Sequence, residues 1–182
     1  MSSPFVHLHV HTQYSMLDGA IRLADLLAKT KEYGMNAVAV TDHGAMYGAL
    51  EFYTKAKKAG IKPLVGCEFY ISETDHLIHT KKAGHNFHIV LLAMNKAGYQ
   101  NLMKLASIAQ TKGFYYKPRI DRELLFAHQE GLLALTACLH GEIPWTINHG
   151  SMDTARKKAL ELQEVFGDRL YFEIQENGIA ER

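Results

Sequence analysis

Short apolar runs alternate with segments of helical periodicity along most of the chain, and this alternation limits the fold more than any other feature of the sequence. The runs that we predict to be strands cover residues 5–10, 36–41, 62–67, 88–94, 132–136 and 170–175. The segments with helical spacing cover residues 21–33, 47–58, 96–110, 121–128 and 152–166. Continuously apolar strands separated by helices predict an α/β fold in which helices cover a parallel sheet.

Residues with metal-binding or acid–base chemistry follow several of the predicted strands. They are His9, His11, His43, Glu68 and Cys138. A barrel gathers groups from the carboxyl ends of all its strands, whereas an open sheet uses mainly the loops at one switch point. The wide distribution along the chain therefore favours a barrel. The sequence has no Gly-x-Gly-x-x-Gly motif and no phosphate loop, so nucleotide-binding open sheets lose support.

The composition is that of one soluble domain covering residues 1–182, with 47% hydrophobic and 21% charged residues. The net charge of +1 offers no bulk attraction for nucleic acid, so any such contact would be local. The apolar runs are too short to span a bilayer, and Met1–Pro4 leads into the first predicted strand without a signal peptide. Cys67 and Cys138 suit a reducing cytosol. We expect a cytoplasmic protein that is not inserted in a membrane.

His7 and His9 lie in the first predicted strand, and His11 directly follows it at the next alternate position. Side chains alternate between faces along a strand, so the three imidazoles point the same way. Two imidazoles at this separation can bind one metal ion or two neighbouring ions. The alternative is a half-buried strand whose histidines bond to backbone or water. Because similar groups recur at later strand ends, we favour metal binding.

Thr41-Asp42-His43-Gly44 follows the second predicted strand, and Glu68 follows the third. His43 would be a metal ligand, with Asp42 accepting a hydrogen bond from an imidazole N–H. Asp42 could instead cap the next helix. Glu68 ends a buried strand, where a carboxylate needs a partner, and a bridging carboxylate suits a two-metal site.

Spacing leaves three further candidates open. Asp18 precedes a glycine and could be a turn residue or a ligand. His88 begins its strand, so it could be a surface histidine at the edge of a loop. Cys138 could be a thiolate ligand or a small buried residue.

Two irregular stretches separate the predicted elements. Residues 72–86 are polar and without periodicity, so we predict a long loop with solvent-exposed histidines at positions 76, 79 and 85. Residues 113–120 form a second predicted loop, rich in aromatic and basic side chains. Lys117 and Arg119 could hold a DNA phosphate there while the aromatic rings stack on bases. The alternative is that the aromatic rings pack on a helix.

A set of longer motifs spans almost the whole chain. They are His7-Leu8-His9-Val10-His11-Thr12, Leu17-Asp18-Gly19, Thr41-Asp42-His43-Gly44, Gly66-Cys67-Glu68-Phe69-Tyr70, Gly98-Tyr99-Gln100-Asn101-Leu102, Lys117-Pro118-Arg119-Ile120-Asp121 and Cys138 with Gly141-Glu142-Ile143-Pro144. Together they resemble the polymerase and histidinol phosphatase (PHP) domain of the α subunit of bacterial DNA polymerase III. The histidinol phosphatase branch shares the His-x-His-Thr signature but not the Gly-Tyr-Gln-Asn-Leu and Lys-Pro-Arg-Ile-Asp motifs.

The resemblance implies a distorted (β/α)7 TIM-like barrel with two or three divalent ions, of which Zn, Mn or Fe would fit and Mg is a further option. The implied ligands are His9, His11, Asp18, His43, Glu68, His88 and Cys138. His11 and His43 would act in catalysis through the metal that they bind, and Asp42 would orient an imidazole by accepting a hydrogen bond from its N–H. Family members with the full ligand set resemble proofreading 3′–5′ exonucleases that hydrolyse phosphodiesters, while members that lost ligands are scaffolds. The ligand set visible in this chain indicates the active type.

The family's final Asp-x-His motif and its seventh strand are absent from the sequence. We therefore expect residues 1–182 to be the N-terminal PHP domain of a longer DNA-directed DNA polymerase subunit. The implied partners are DNA, the remaining polymerase domains, the proofreading subunit and the sliding clamp. Two alternatives stay open, a metal-stabilised scaffold without catalysis and a phosphomonoesterase such as histidinol phosphatase. His140 takes the place of a small residue in the family, and we assign it no role.

Overall fold

The computed structural model, which describes residues 5–16, 18–176 and 178, consists of a sheet and surrounding helices. The strands are β1 (Ala37–Val40), β2 (Lys62–Ser72), β3 (Asn86–Ala93), β4 (Phe114–Tyr115), β5 (Lys117–Ile120), β6 (Leu132–Leu135) and β7 (Leu170–Tyr171). The helices are α1 (Leu23–Glu32), α2 (Ala49–Lys58), α3 (Lys96–Thr111), α4 (Arg122–Ala127), α5 (Glu142–His149) and α6 (Met152–Phe166). The predicted α/β class is confirmed. Met1–Pro4, and Leu17 of the Leu17-Asp18-Gly19 motif, lie outside the described residues.

The sheet is mixed, and the prediction of a parallel sheet is wrong for β3. β2 pairs in parallel with β1 along residues 62–65 and with β5 at residues 70–71. On its other side β2 pairs with β3, which runs antiparallel to both β2 and β6. The reason is the link between β2 and β3, which contains a short 3-10 turn (Lys81–Ala83) but no crossover helix. A parallel pair needs such a crossover, so the chain returns beside the strand that it has just left.

The first predicted strand is extended but forms no regular ladder. The N–H of Ala39 donates to the carbonyl of His7 at 2.8 Å, and the N–H of Thr41 donates to the carbonyl of Val10 at 2.9 Å. Residues 5–12, which we call the N-terminal segment, thus lie along β1. The sixth predicted strand is shorter than expected, since regular pairing ends at Tyr171.

Two further segments differ from the prediction. The predicted loop over residues 113–120 contains the antiparallel pair of β4 and β5. α5 was not predicted, and its sequence contains Pro144. The proline lies in the first turn of the helix, where its missing N–H breaks no intrahelical hydrogen bond.

The sheet buries both of its faces. On the outer face, Cys67, Phe69 and Leu91 belong to a core shared with residues of α3, α4, α5 and α6. The other face carries a smaller apolar cluster that includes Ala39 and Val90. Strand alternation places Glu68 opposite Val90 in the β2–β3 register, on this inner side. None of the helices among the described residues is long and apolar enough to cross a membrane.

Candidate metal centre

The reversed direction of β3 explains how His88 reaches the other candidate ligands. His88 is near the start of β3 and pairs with Tyr70, near the end of β2. Glu68 precedes Tyr70 by two residues in β2, so both side chains point to the same face of the sheet. The start of β3 therefore lies beside the carboxyl-terminal half of β2, which a parallel sheet would not allow. Sequence spacing could not place His88 because it does not reveal strand direction.

Glu68 lies at the centre of four imidazoles and is only 1% exposed. Its Oε1 is 2.9 Å from Nδ1 of His88 and 3.5 Å from Nε2 of His9. Its Oε2 is 3.4 Å from Nε2 of His11 and 2.5 Å from Nδ1 of His43. The N-terminal segment supplies two of these histidines, the loop after β1 supplies the third, and β3 supplies the fourth. One buried carboxylate thus connects three parts of the fold.

The ligand atoms fall into two groups that share Glu68. His9, His11 and Glu68 form one group, and His43, Glu68 and His88 form the other. Within each group the ligand atoms lie within 4.8 Å of one another. This arrangement matches two neighbouring metal ions with a bridging carboxylate.

Several buried polar atoms at this site lack a hydrogen-bond partner within the described part of the chain. They are Nδ1 of His11, Nδ1 of His43, Oε2 of Glu68 and Oε2 of Glu173. The close pair of His43 Nδ1 and Glu68 Oε2 is not aligned as a hydrogen bond. Nε2 of His9 is also only 3.1 Å from Nε2 of His11. Closely spaced nitrogen and oxygen atoms without protein partners are expected where a cation binds. Imidazole and carboxylate ligands together suit Zn, Mn or Fe.

Asp18 and Cys138 lie at the second group. Asp18 is exposed, and its carboxylate contacts Nε2 of His43. Sγ of Cys138 is 3.8 Å from Nδ1 of His88. Burial raises the pKa of the Cys138 thiol, but the interactions with His88 and with the His140 backbone together outweigh burial and lower it overall. A thiol that ionises more readily is a better metal ligand.

The predicted ligands line one open cavity of about 530 Å³. These residues are His9, His11, Asp18, His43, Glu68, His88 and Cys138. Tyr70, Lys117, His140 and Gln175 complete its wall. The structure thus brings together the seven residues that we assigned to the metals.

Without metal, Glu68 stabilises the charged form of most of the surrounding histidines, although burial lowers the pKa of His11. Burial lowers the pKa of His9, but hydrogen bonds to Glu173 and Glu68 outweigh it and raise the pKa to about 10. Burial likewise lowers the pKa of His88, while Cys138 and Glu68 raise it to about 9. Burial raises the pKa of Glu68, yet its close contacts with His43, His88 and His9 hold it well below its usual range. In the absence of metal, protons on the imidazoles would balance the negative charge of Glu68, which a divalent cation would otherwise balance.

Asp42 does not contact an imidazole in the described structure, contrary to the interpretation from sequence. Its Oδ1 accepts hydrogen bonds from the Thr12 N–H at 2.6 Å and the Ser15 hydroxyl at 2.6 Å. The Thr12 hydroxyl donates to both Asp42 oxygens, at 3.0 and 2.9 Å. Asp42 is buried and holds the turn directly after His11. Asp42 therefore acts on His11 through this backbone and through its negative charge, and not through a hydrogen bond.

Lys117 and Arg119, the two predicted DNA contacts, occupy different environments. Lys117 is exposed on the cavity wall, with its Nζ 5.2 Å from the centre of the Tyr70 ring. Arg119 is fully buried and donates to the carbonyls of Gly113, His76 and Ile78, each at 3.0 Å. The Arg119 guanidinium thus connects two loops by hydrogen bonds and is not accessible to a nucleic-acid backbone. Of the two predicted DNA contacts, only Lys117 remains a candidate.

Tyr70, Glu173 and Gln175 contribute to the site and were missed from sequence. Glu173 Oε1 is 2.7 Å from Nδ1 of His9. The sequence does indicate the position of Tyr70, because it lies two residues after Glu68 and would share its face. Glu173 and Gln175 similarly alternate within a predicted strand.

His76 is not solvent-exposed as predicted, but lies in a second cluster with Asp75 and Asp121. The His76 ring and backbone N–H both contact Asp121 Oδ2. Asp121 Oδ1 caps α4 by accepting from the Leu124 N–H at 2.8 Å. Oδ1 of Asp75 accepts from the Leu77 N–H. Local hydrogen bonds account for these carboxylates, so we assign no metal to the cluster.

Comparisons with known proteins show the family to which this sequence is similar. The family model described as PHP domain matches residues 7–177. DNA polymerase III subunit alpha of Thermus aquaticus is 47% identical over 98% of this chain, and that of Helicobacter pylori is 46% identical over 98%. The match covers 15% of each relative. The chain therefore spans less than a sixth of the length of the curated relatives it matches.

Two solved structures share the fold. One, from Bifidobacterium adolescentis, is described as a proposed metal-dependent phosphoesterase, with a TM-score of 0.52 and 12% identity over 99% of this chain and 92% of the other. The second, from Bacteroides vulgatus, is a two-domain protein with a predicted PHP-like metal-dependent phosphoesterase. Its TM-score is 0.52, with 14% identity over 88% of this chain and 41% of the other.

Proposed function

Because the chain belongs to the PHP domain family, we propose that it is a metal-dependent phosphoesterase domain that holds at least two divalent ions around Glu68. The observation that carries this proposal is the position of the Glu68 carboxylate, buried among four imidazoles. A buried carboxylate shared by two ligand groups is the arrangement expected of a two-metal phosphoesterase.

The domain is proposed to be a distorted (β/α)7 TIM-like barrel without its last strand. Support comes from the inner apolar cluster and from the contact between His9 and Glu173, which joins the N-terminal segment to the chain that follows β7. Residues 1–182 would form one PHP domain of a longer polymerase subunit. The low coverage of the curated relatives agrees with this.

The proposed substrate is the 3′ end of a DNA strand, from which the domain would remove nucleotides during proofreading. Bound ions would activate water and stabilise negative charge on the phosphodiester. The histidines and Glu68 would hold those ions in fixed positions. The Lys117 ammonium lies at the rim, where it can bind the adjoining backbone phosphate. The cavity is open, as a strand end requires.

The wider setting follows from the relatives and is part of the same proposal. In a DNA polymerase III α subunit the domain would work with DNA, the remaining polymerase domains, a proofreading subunit and a sliding clamp. Such a replicase acts in the bacterial cytoplasm.

The test is hydrolysis of a 5′-labelled oligonucleotide by protein loaded with Mn²⁺ or Zn²⁺. We expect stepwise shortening from the 3′ end, no shortening by His11→Ala or His43→Ala, and unchanged shortening by His149→Ala, which alters an exposed histidine on α5. A small phosphate monoester tested in parallel separates the histidinol phosphatase alternative. Metal-loaded wild-type protein that hydrolyses neither substrate would leave only the scaffold role.

A further inference from the structure

Glu173 contacts the side of His9 that faces away from the metal ligands. Its Oε1 lies 2.7 Å from Nδ1 of His9, across 164 residues of sequence. Nε2 of the same ring points to Glu68 and His11. A neutral imidazole carries one proton, so a proton on Nδ1 leaves the lone pair on Nε2.

The structure holds Glu173 in place from two directions. Its backbone N–H donates to the Thr136 hydroxyl at 3.0 Å, at the end of β6. The Gln175 amide donates to Glu173 Oε1 at 2.6 Å. The Thr136 N–H in turn donates to the Tyr171 carbonyl at 3.1 Å. These bonds fix the carboxylate relative to β6, which leads directly to Cys138.

His11 offers an internal comparison. Its Nε2 also approaches Glu68, but its Nδ1 is buried without a hydrogen-bond partner among the described residues. The carboxylate behind His9 is therefore a feature of that ligand and not of every histidine at the site.

We propose that Glu173 is a positioning residue that fixes the tautomer and orientation of His9, so that Nε2 binds the ion of the group formed by His9, His11 and Glu68. This inference rests on the proposed metal centre and adds a residue to it. A carboxylate that accepts the second N–H of a metal-binding histidine also makes the ring a stronger ligand. Because Glu173 follows β7, the carboxyl-terminal segment would control metal binding by the amino-terminal one.

The test compares Zn²⁺ affinity in the wild-type protein, Glu173→Ala, Glu173→Gln and the matched control Glu176→Ala, which alters an exposed glutamate in the same segment. We expect one ion to bind about 10- to 100-fold more weakly in Glu173→Ala. Glutamine keeps an oxygen that can accept from Nδ1–H, so Glu173→Gln should lie between the alanine variant and wild type. Glu176→Ala should bind as wild type does.

Nitrogen-15 NMR of the Zn²⁺-loaded protein separates positioning from a general loss of structure. In wild type and Glu173→Gln we expect the His9 ring to carry its proton on Nδ1, where the hydrogen bond slows exchange with water. In Glu173→Ala we expect the signal of this protected Nδ1 proton to disappear. Equal affinity of Glu173→Ala and wild type, or a loss of affinity with the His9 signal unchanged, would overturn the inference. Wild-type protein that binds no Zn²⁺ would instead refute the metal centre itself.

Discussion

At the scale of single residues, Glu68 determines what the site can bind. The carboxylate is buried, and each of its oxygens approaches two imidazoles. Buried charges persist in proteins when they are paired or coordinate a metal. In this site both states use the same atoms, so protons and metal ions compete for the same nitrogens.

Lys117 is the basic side chain that we expect to contact the substrate. Replacing it with alanine should raise KM for an oligonucleotide several-fold, with a smaller effect on kcat. The slope of log affinity against log salt concentration should fall by about the value of one phosphate contact. Lys104→Ala removes the same charge from an exposed position on α3 that does not line the cavity. Steady-state kinetics at several salt concentrations measure both effects. Equal behaviour of the two variants would exclude Lys117 from substrate binding.

Part of the proposed metal centre could be predicted from the sequence for a clear physical reason. His9, His11, His43 and Glu68 follow or end strands, so spacing alone brought them into consideration. Asp18, His88 and Cys138 needed the family resemblance, because a turn, a strand start and a small buried residue each have ordinary explanations. Glu173 was missed because strand alternation gives only the face on which it lies, while its contact with His9 spans 164 residues of sequence.

At the scale of secondary-structure elements, the pattern of apolar residues located most helices and strands but not the direction of β3. Apolar periodicity is the same whether a strand runs parallel or antiparallel to its neighbour. The informative feature was the polar segment between β2 and β3, which offers no crossover helix. The burial of Arg119 was similarly hidden, since an arginine in a loop between aromatic residues is usually exposed.

Arg119 should act on the stability of these loops and not on DNA binding. Arg119→Met removes the donors to three carbonyls, so we expect the free energy of unfolding to fall by roughly 2–4 kcal/mol. Amide exchange should accelerate in the link between β2 and β3, which contains His76 and Ile78. Chemical denaturation and hydrogen exchange measure this, with Lys117→Met as the exposed control. An unchanged unfolding midpoint for Arg119→Met would contradict the assignment.

At the scale of the whole molecule, the metal-free and metal-loaded proteins should respond to pH in opposite directions. The pKa values of His9 and His88 are raised to about 10 and about 9, so their stabilisation is complete below their unfolded value of about 6.5 and is lost as the pH rises toward 9–10. The lowered pKa of Glu68 contributes stability above about pH 4.5, which is lost in acid.

Metal binding reverses the alkaline part of this trend because ions bind deprotonated imidazoles. We expect the Tm of metal-free protein to fall between about pH 6.5 and 9, and the rise in Tm on adding Zn²⁺ or Mn²⁺ to grow over the same range. Differential scanning calorimetry with and without chelator measures both. A metal-free Tm that increases with pH across this range would show that the histidines are not held in their charged form.

The measurement that tests the central claim most directly is the metal content of the purified chain, determined by elemental analysis beside Glu68→Gln and the exposed control Glu32→Gln. The account predicts about two or more equivalents of Zn, Mn or Fe in wild type and Glu32→Gln, because the two ligand groups share Glu68. Glu68→Gln should lose most of this metal while remaining folded. Folded wild-type protein without metal, even after incubation with these ions, or full occupancy in Glu68→Gln, would contradict it.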